Sequence, residues 1–454
     1  MEQLPAIHFR TALLPDGWAH DVRIETAAGR IACIDTGVSA QPRDERAAIG
    51  LPGMANLHSH AFQRAMAGLT GKRGPGADSF WTWREWMYRF VGRLTPDDVE
   101  AIAALAFVEM VEAGFTRVGE FHYLHHDFGG QCFADPAEMG ARIAAAAGTA
   151  GIGLTLLPVF YAQGGFGGVP AGDGQARFLS TPDSYARLIE ASRHVVAPLG
   201  DALVGVAPHS LRAVTPDALA AILPLANGNP IHIHIAEQVR EVEDCVAWSG
   251  RRPVEWLFDH VAVDGRWCLV HATHMTADET HALARSGAVA GICPITEADL
   301  GDGLFPAIDY RAAGGAWGIG TDSNVAIDMA DELRLFEYGQ RLHHRARNVI
   351  ADEGGFNGRA LFDGALKGGA QALGVEAGLK VGAPADWATL DPDHVGLIGR
   401  QGDALLDSFL FASGRHAIDA VWRGGRKVVT GGVHHARAAV VSRYCMVLQR
   451  LLMT

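Results

Sequence analysis

Residues 51–68 read LPGMANLHSHAFQRAMAG. A short apolar run ends in two histidines, His58 and His60, one residue apart. Side chains alternate along a strand, so residues i and i+2 share a face. If the run is a strand, both imidazoles reach one point, an arrangement able to hold a cation.

The same texture recurs. GMANLHSH (53–60), FTRVGEFHY (115–123), GLTLLPVFY (153–161), LVGVAPHS (203–210), PIHIHIAE (230–237), WCLVHATH (267–274), VAGICPITE (289–297) and WGIGTDSN (317–324) are short apolar runs. Amphipathic, alanine-rich stretches such as DDVEAIAALAFVEMVEAG and TPDSYARLIEASRHVV separate them. Strand followed by helix, eight times, predicts parallel strands closed into a (β/α)8 barrel. Nearly every run ends in His, Glu, Asp or Ser, and the carboxyl ends of barrel strands are where such folds build active sites.

The two ends of the chain differ from this middle. AIHFRTALL and DVRIETAAGRIACIDTGV near the start, and ADWATLDPD and AIDAVWRGGRKVVTGGVHH near the end, alternate apolar and polar residues between glycine turns. They predict short antiparallel strands that pair into one small β unit. A chain of 454 residues is long enough for a large barrel with such an appendage.

The formal charge is −13 with no Lys/Arg tract, which argues against nucleic acid or an anionic membrane as partner. Six cysteines without a CxxC pair read as reduced thiols. The opening residues show no secretory signal, and no apolar run approaches the ~18 residues of a membrane span. The expectation is a cytoplasmic, soluble protein.

On the fifth run His234 offers a third imidazole, with Glu237 three residues further on. His232 shares its phase, lies deeper and reads as a packed residue or one that supports the ligands by hydrogen bonding. The sixth run ends in His271 and the eighth in Asp322. Imidazoles and a carboxylate drawn from several strand ends suit Zn2+, and Fe2+ or Mn2+ accept similar donors.

This set of HxH, then HxxE, then His, then Asp resembles the amidohydrolase superfamily over essentially the full length. The resemblance implies a distorted (β/α)8 TIM-like barrel of residues 51–374. It implies a small β-sandwich domain built from both termini, 1–50 plus 375–454. No metal-bridging lysine occurs in LVGVAPHS, so the pattern is similar to the mononuclear deaminase branch, with one Zn2+ per subunit. NLHSHAFQRAMAG, FWTWREWMYRF, EFHYLHH, APHSLRAV and IHIAEQ narrow it further. They resemble the deiminases that hydrolyse N-formimino-L-glutamate in histidine degradation. The alternative is another deaminase of the branch, acting on guanine, an adenosine derivative or a triazine.

By this resemblance His58, His60, His234 and Asp322 hold the metal. Asp322 is the general base, Glu237 the proton shuttle to the departing nitrogen. His271 either helps hold the metal or polarises substrate and water. Gln63, Arg84, Tyr123, His209 and Arg212 are expected to bind a small dicarboxylate substrate. The resemblance also implies a homodimer. GLTGKRGPG (68–76) fails the P-loop pattern and reads as a flexible segment, part of a lid over the site; GGFGGVPAGDG (164–174) reads as a surface loop. His122, His125 and His126 read as supporting hydrogen-bonders or surface residues, and Cys293 as a small buried residue.

Overall fold

The computed structural model describes residues 6–73, 76 and 78–453. Eight inner strand positions follow one another in chain order. They are Met54–Ser59, Phe115–His122, Gly153–Phe160, the short pair Leu203–Val204 and Ala207–Pro208, Ile231–Ile235, Trp267–His271, Val289–Ile292 and Ala316–Ile319. Apart from Leu203 and Ala316 every residue in them is buried. That is why they read as near-continuous apolar runs, as strands covered on both faces do.

Neighbouring inner strands pair in parallel, the first four positions in one sheet and the last four in another. Single parallel bridges, Val206–Ile231 and Ser210–His234, join the sheets at one seam, and Ser59–Asp322 joins them at the other. At least one helix follows every strand. Four of these helices begin at Thr95, Thr181, Thr215 and Thr276, whose hydroxyls accept the backbone N–H three residues on. The arrangement is of the TIM-barrel type, with α/β alternation throughout.

The fourth position departs from the expected continuous strand. Gly205 N–H still donates to Leu156 O of the third strand at 2.9 Å, whereas Val206 N–H donates to Pro230 O beside the fifth at 3.0 Å. The chain changes partner there, and the strand breaks. A Cβ at Gly205 would lie 2.6 Å from Pro230 O, so only glycine fits the crossing.

Strands from both chain ends form a second unit. The pairing joins Arg30–Asp35, Gly17–Ala27, Ile7–Leu14, Glu45–Pro52, Trp387–Leu390, Ile418–Arg423, Arg426–Thr430 and Val433–His434 in that order. This is one continuous sheet, where the sandwich expectation called for two. The central seam is antiparallel, with Trp387 opposite Pro52 and Leu390 opposite Ile49. Ile7, Phe9, Ile24, Trp387 and Trp422 form its own apolar core. Gly53 alone separates Glu45–Pro52 from the first inner strand, and a Cβ on it would fall 2.4 Å from the Thr116 side chain.

One element was not anticipated. Residues Arg437–Leu452 form a helix that packs on Pro96–Glu112 through the ion pairs Arg437–Glu112, Arg443–Glu100 and Arg450–Asp98. Part of the expected 68–76 segment, Gly74 and Pro75, lies outside the described residues, as do residues 1–5 of the expected terminal β unit and of the opening stretch read for a signal. Among the described residues no helix is long and apolar enough to cross a membrane.

Candidate active site

The ends of the inner strands meet around a pocket. At its floor His58 Nε2 lies 3.2 Å from His60 Nε2 and 3.0 Å from His234 Nε2. Asp322 Oδ1 is 3.2 Å from His60 Nε2 and 3.5 Å from His58 Nε2. All four side chains are buried, and one donor atom from each lies within 4.8 Å of the others.

Local structure holds these groups in place. His60 Nδ1 donates to Phe121 O at 2.8 Å and His234 Nδ1 donates to His209 O at 3.0 Å. Each ring thus carries its hydrogen on Nδ1 and turns a bare Nε2 lone pair to the centre. Asp322 is fixed by two backbone bonds, its N–H to His58 O at 3.0 Å and its C=O from His60 N–H at 2.8 Å. Gly320 makes that approach possible, since a Cβ there would sit 2.8 Å from His58 Cβ. Ala236, His271 and Asp322 adopt left-handed backbone angles, with φ of 51°, 68° and 43°. Non-glycine residues hold such angles only where the surroundings enforce them, and functional sites are where they cluster.

The donor set fits a divalent ion. Nitrogen lone pairs 3.0–3.2 Å apart repel unless a cation lies between them. A tetrahedral ion with bonds of about 2.0–2.1 Å has donor–donor edges of about 3.3 Å, close to the separations here. The protonation states agree: burial pushes His58 down to about 3 and His234 well below the usual range, so both rings are neutral. Burial alone would raise Asp322, but the His58 and His60 rings beside it outweigh this and hold it well below the carboxylate range.

His271 stands beside this floor, with Nε2 3.7 Å from Asp322 Oδ2 and 3.9 Å from Glu237 Oε1. Burial opposes its charge, but Glu237, Glu297 and Asp322 outweigh burial and raise it to about 10. Burial raises Glu237. The Glu237 N–H donates to Glu241 Oε2 at 3.0 Å.

The wall carries the remaining expected residues. Gln63 Nε2 donates to Tyr123 Oη at 2.8 Å, while Gln63 Oε1 is buried with no partner. His209 Nδ1 meets Ser210 Oγ at 3.1 Å, and burial, reinforced by Arg212, keeps its ring neutral. Arg212 approaches Glu237 at 3.8 Å and Glu241 at 3.9 Å, too far for hydrogen bonds, and its Nε has none. Arg84 lies over the Trp81 and Tyr88 rings at 4.7 and 5.6 Å, and its buried Nε is also unpartnered. Of the eleven residues singled out in the sequence, ten line the pocket and His58 completes the floor.

Several residues in and behind the pocket wall were missed. Phe80, Trp83, Met87 and Tyr88 of the helix Phe80–Val91 line it, although their run reads as ordinary packing. Glu297, whose Oε1 accepts from His271 Nδ1 at 3.2 Å, looks in the sequence like any acid in the first turn of a helix. The supporting histidines behave as expected: His122, His125, His126 and His232 donate to the carbonyls of Leu124, Val159, Leu179 and Ala372. Cys293 is fully buried.

Comparison with known proteins adds a separate line of evidence. Residues 49–428 match the model of the amidohydrolase family, and residues 4–48 match that described as formimidoylglutamate deiminase HutF, N-terminal domain. The formimidoylglutamate deiminase of Pseudomonas aeruginosa is 52% identical over 453 residues, 99% of this chain and 100% of that protein. A 5-methylthioadenosine/S-adenosylhomocysteine deaminase of Natronomonas pharaonis is 30% identical over 82% of this chain and 80% of its own. The crystal structure of an amidohydrolase from Brucella melitensis, 57% identical, superposes with a TM-score of 0.96 over 99% of this chain and 100% of that one.

Proposed function

The chain belongs to the amidohydrolase family, and we propose that it is a metal-dependent hydrolase that deiminates N-formimino-L-glutamate to N-formyl-L-glutamate and ammonia in histidine degradation. The observation that carries this reading is a pocket with two kinds of unsatisfied group. Bare imidazole and carboxylate acceptors face one another at its floor, and guanidinium donors without hydrogen-bond partners stand in its wall.

His58, His60, His234 and Asp322 are the residues that would hold the ion. A divalent ion there supplies Lewis acidity, which lowers the pKa of water towards neutrality and polarises the formimino group. Asp322, ionised at neutral pH, takes the proton of the attacking water as the new C–O bond forms at the formimino carbon. Glu237 gives one proton to the terminal nitrogen and Asp322 passes on the proton it took, so the C–N bond breaks and ammonia departs, while the hydroxyl on the carbon returns its proton to Glu237 and becomes the formyl C=O. His271, between these two carboxylates, steers the substrate nitrogen and the water. Arg84 and Arg212 take the two substrate carboxylates in charge-assisted hydrogen bonds, and Gln63, Tyr123 and His209 fix the amino-acid part.

The finer parts of the reading are a distorted (β/α)8 barrel at 51–374, a small β domain from 1–50 and 375–454, one Zn2+ per subunit, and a cytoplasmic homodimer. Metal analysis and light scattering test the last two features of composition.

The deciding assay is ammonia release by the metal-loaded protein from N-formimino-L-glutamate, guanine and 5-methylthioadenosine. Release from the first alone is expected. Release only from a purine compound would transfer the protein to the neighbouring deaminases, for which the aromatic wall of Phe80, Trp83 and Tyr88 would then be a ring platform.

A further inference from the structure

The proposed mechanism needs the His271 ring in one orientation, and the structure contains a group suited to enforce it. His271 is 1% exposed and its backbone sits at φ 68°. Its Nδ1 lies 3.2 Å from Glu297 Oε1. Its Nε2 points the other way, towards Asp322 Oδ2 at 3.7 Å and Glu237 Oε1 at 3.9 Å. The ring therefore spans from one buried carboxylate to the two that handle protons.

Glu297 is itself held firmly. Besides meeting His271, Oε1 accepts the backbone N–H of Cys293 at 2.8 Å, a bond that closes the first turn of the helix Pro294–Leu300. The side chain is 5% exposed, and the Asp302 N–H donates to the Glu297 carbonyl at 2.8 Å. A carboxylate fixed in this way can only accept, so the imidazole nitrogen opposite must carry a hydrogen.

We propose that Glu297 is a positioning residue for the deimination: it holds His271 Nδ1–H in a hydrogen bond and thereby turns Nε2 towards Asp322 and Glu237. This inference rests on the proposed function. A ring rotated by half a turn would place Nδ1 towards the pocket, off the line between the two carboxylates. Buried partners of this kind typically change activity about 10–100-fold when removed.

The test compares Glu297→Leu and Glu297→Gln with the unmodified, metal-loaded protein. Glu297→Leu removes the acceptor, whereas Glu297→Gln keeps an oxygen that can accept from Nδ1–H. We expect Glu297→Leu to lose about 10–100-fold in kcat. KM should stay within about twofold, and metal content should be unchanged. Glu297→Gln should recover most of the lost kcat. A second readout does not depend on turnover. Long-range proton–nitrogen NMR of histidine-labelled protein, with the His271 signals assigned by their loss in His271→Asn, should report a downfield, hydrogen-bonded Nδ1–H in the unmodified protein and in Glu297→Gln. That signature should be lost in Glu297→Leu.

An unchanged kcat in Glu297→Leu, or an unchanged His271 signature, overturns the proposal. So does a loss that appears only in KM. If Glu297→Leu does not fold, Glu297→Gln decides alone: retention of kcat with the Nδ1–H signature supports the role, and loss of that signature overturns it. If the unmodified protein releases no ammonia from N-formimino-L-glutamate, the proposed function fails, while the NMR comparison still reports on Glu297.

Discussion

The floor and the wall of the pocket are built on opposite plans. At the floor His60 and His234 have their outer nitrogens tied to Phe121 O and His209 O, and Asp322 is tied to the backbone of His58 and His60, while His58 Nδ1 is buried without a partner. In the wall, Arg84 leans on aromatic rings with its Nε unpartnered, and Arg212 hovers near two carboxylates without a hydrogen bond to either. A metal site needs its donors placed before the ion arrives, because ligands that must be gathered weaken binding. A substrate site gains when its donors are left unsatisfied, because the ligand then supplies the missing bonds. Rigidity and readiness are thus divided between strand ends and the elements that follow them.

The largest effect should come from breaking the floor. Asp322→Asn removes both an anionic ligand and the proposed base, and a general base alone is worth about 10²–10⁴-fold. Ammonia release should fall by at least that much, with bound metal reduced in elemental analysis. Retention of both would remove Asp322 from the centre. Chelation should likewise abolish turnover and lower the thermal midpoint, since an ion bound only by the folded state stabilises it. One equivalent of Zn2+ should restore both.

The wall should break more gently and leave the floor intact. Replacing Arg84 or Arg212 by Met costs one charge-assisted interaction of about 1.5–3 kcal/mol, or about 10–100-fold in kcat/KM. Metal content should not change. If either substitution strips the ion, the division between the two regions is wrong.

The smallest effect concerns the support of the second strand end. Burial pushes His125 down to about 3, and its Nε2–H donates to Val159 O. Its pKa in the folded state lies below the unfolded value of about 6.5. The unfolded chain therefore takes up the proton first, so this contribution is complete above about pH 6.5 and fades as pH falls towards 3. His125→Asn should flatten the decline in thermal midpoint between pH 7 and 4. An unaltered slope would assign that decline to other groups.

The inner strands were legible because each is buried on both faces and ends abruptly in polar residues, so hydropathy alone marks its limits. HSH was legible through the alternation of the strand, and the structure indeed brings His58 and His60 together. Glu297 and Glu241 were not, because a glutamate in the first turn of a helix has the same sequence signature whether it faces water or a histidine. Nor was the helix Arg437–Leu452, whose apolar side is confined to a few positions and whose partner lies far back in the chain. The break at Gly205 depends on where Pro230 lies, and that is a fact of three-dimensional neighbours. Tertiary placement decided each of these cases.

Gly53 is the single residue between a strand that needs Trp387–Leu390 beside it and the strand that carries His58. During synthesis the histidines leave the ribosome early, yet Trp387–Leu390, one of the two neighbours of the strand just before theirs, emerges late. Non-local pairing of this sort delays assembly. Capture of the ion should therefore be completed only after Asp322 and Trp387–Leu390 have emerged, and a chain stalled before Trp387 should hold its metal more weakly.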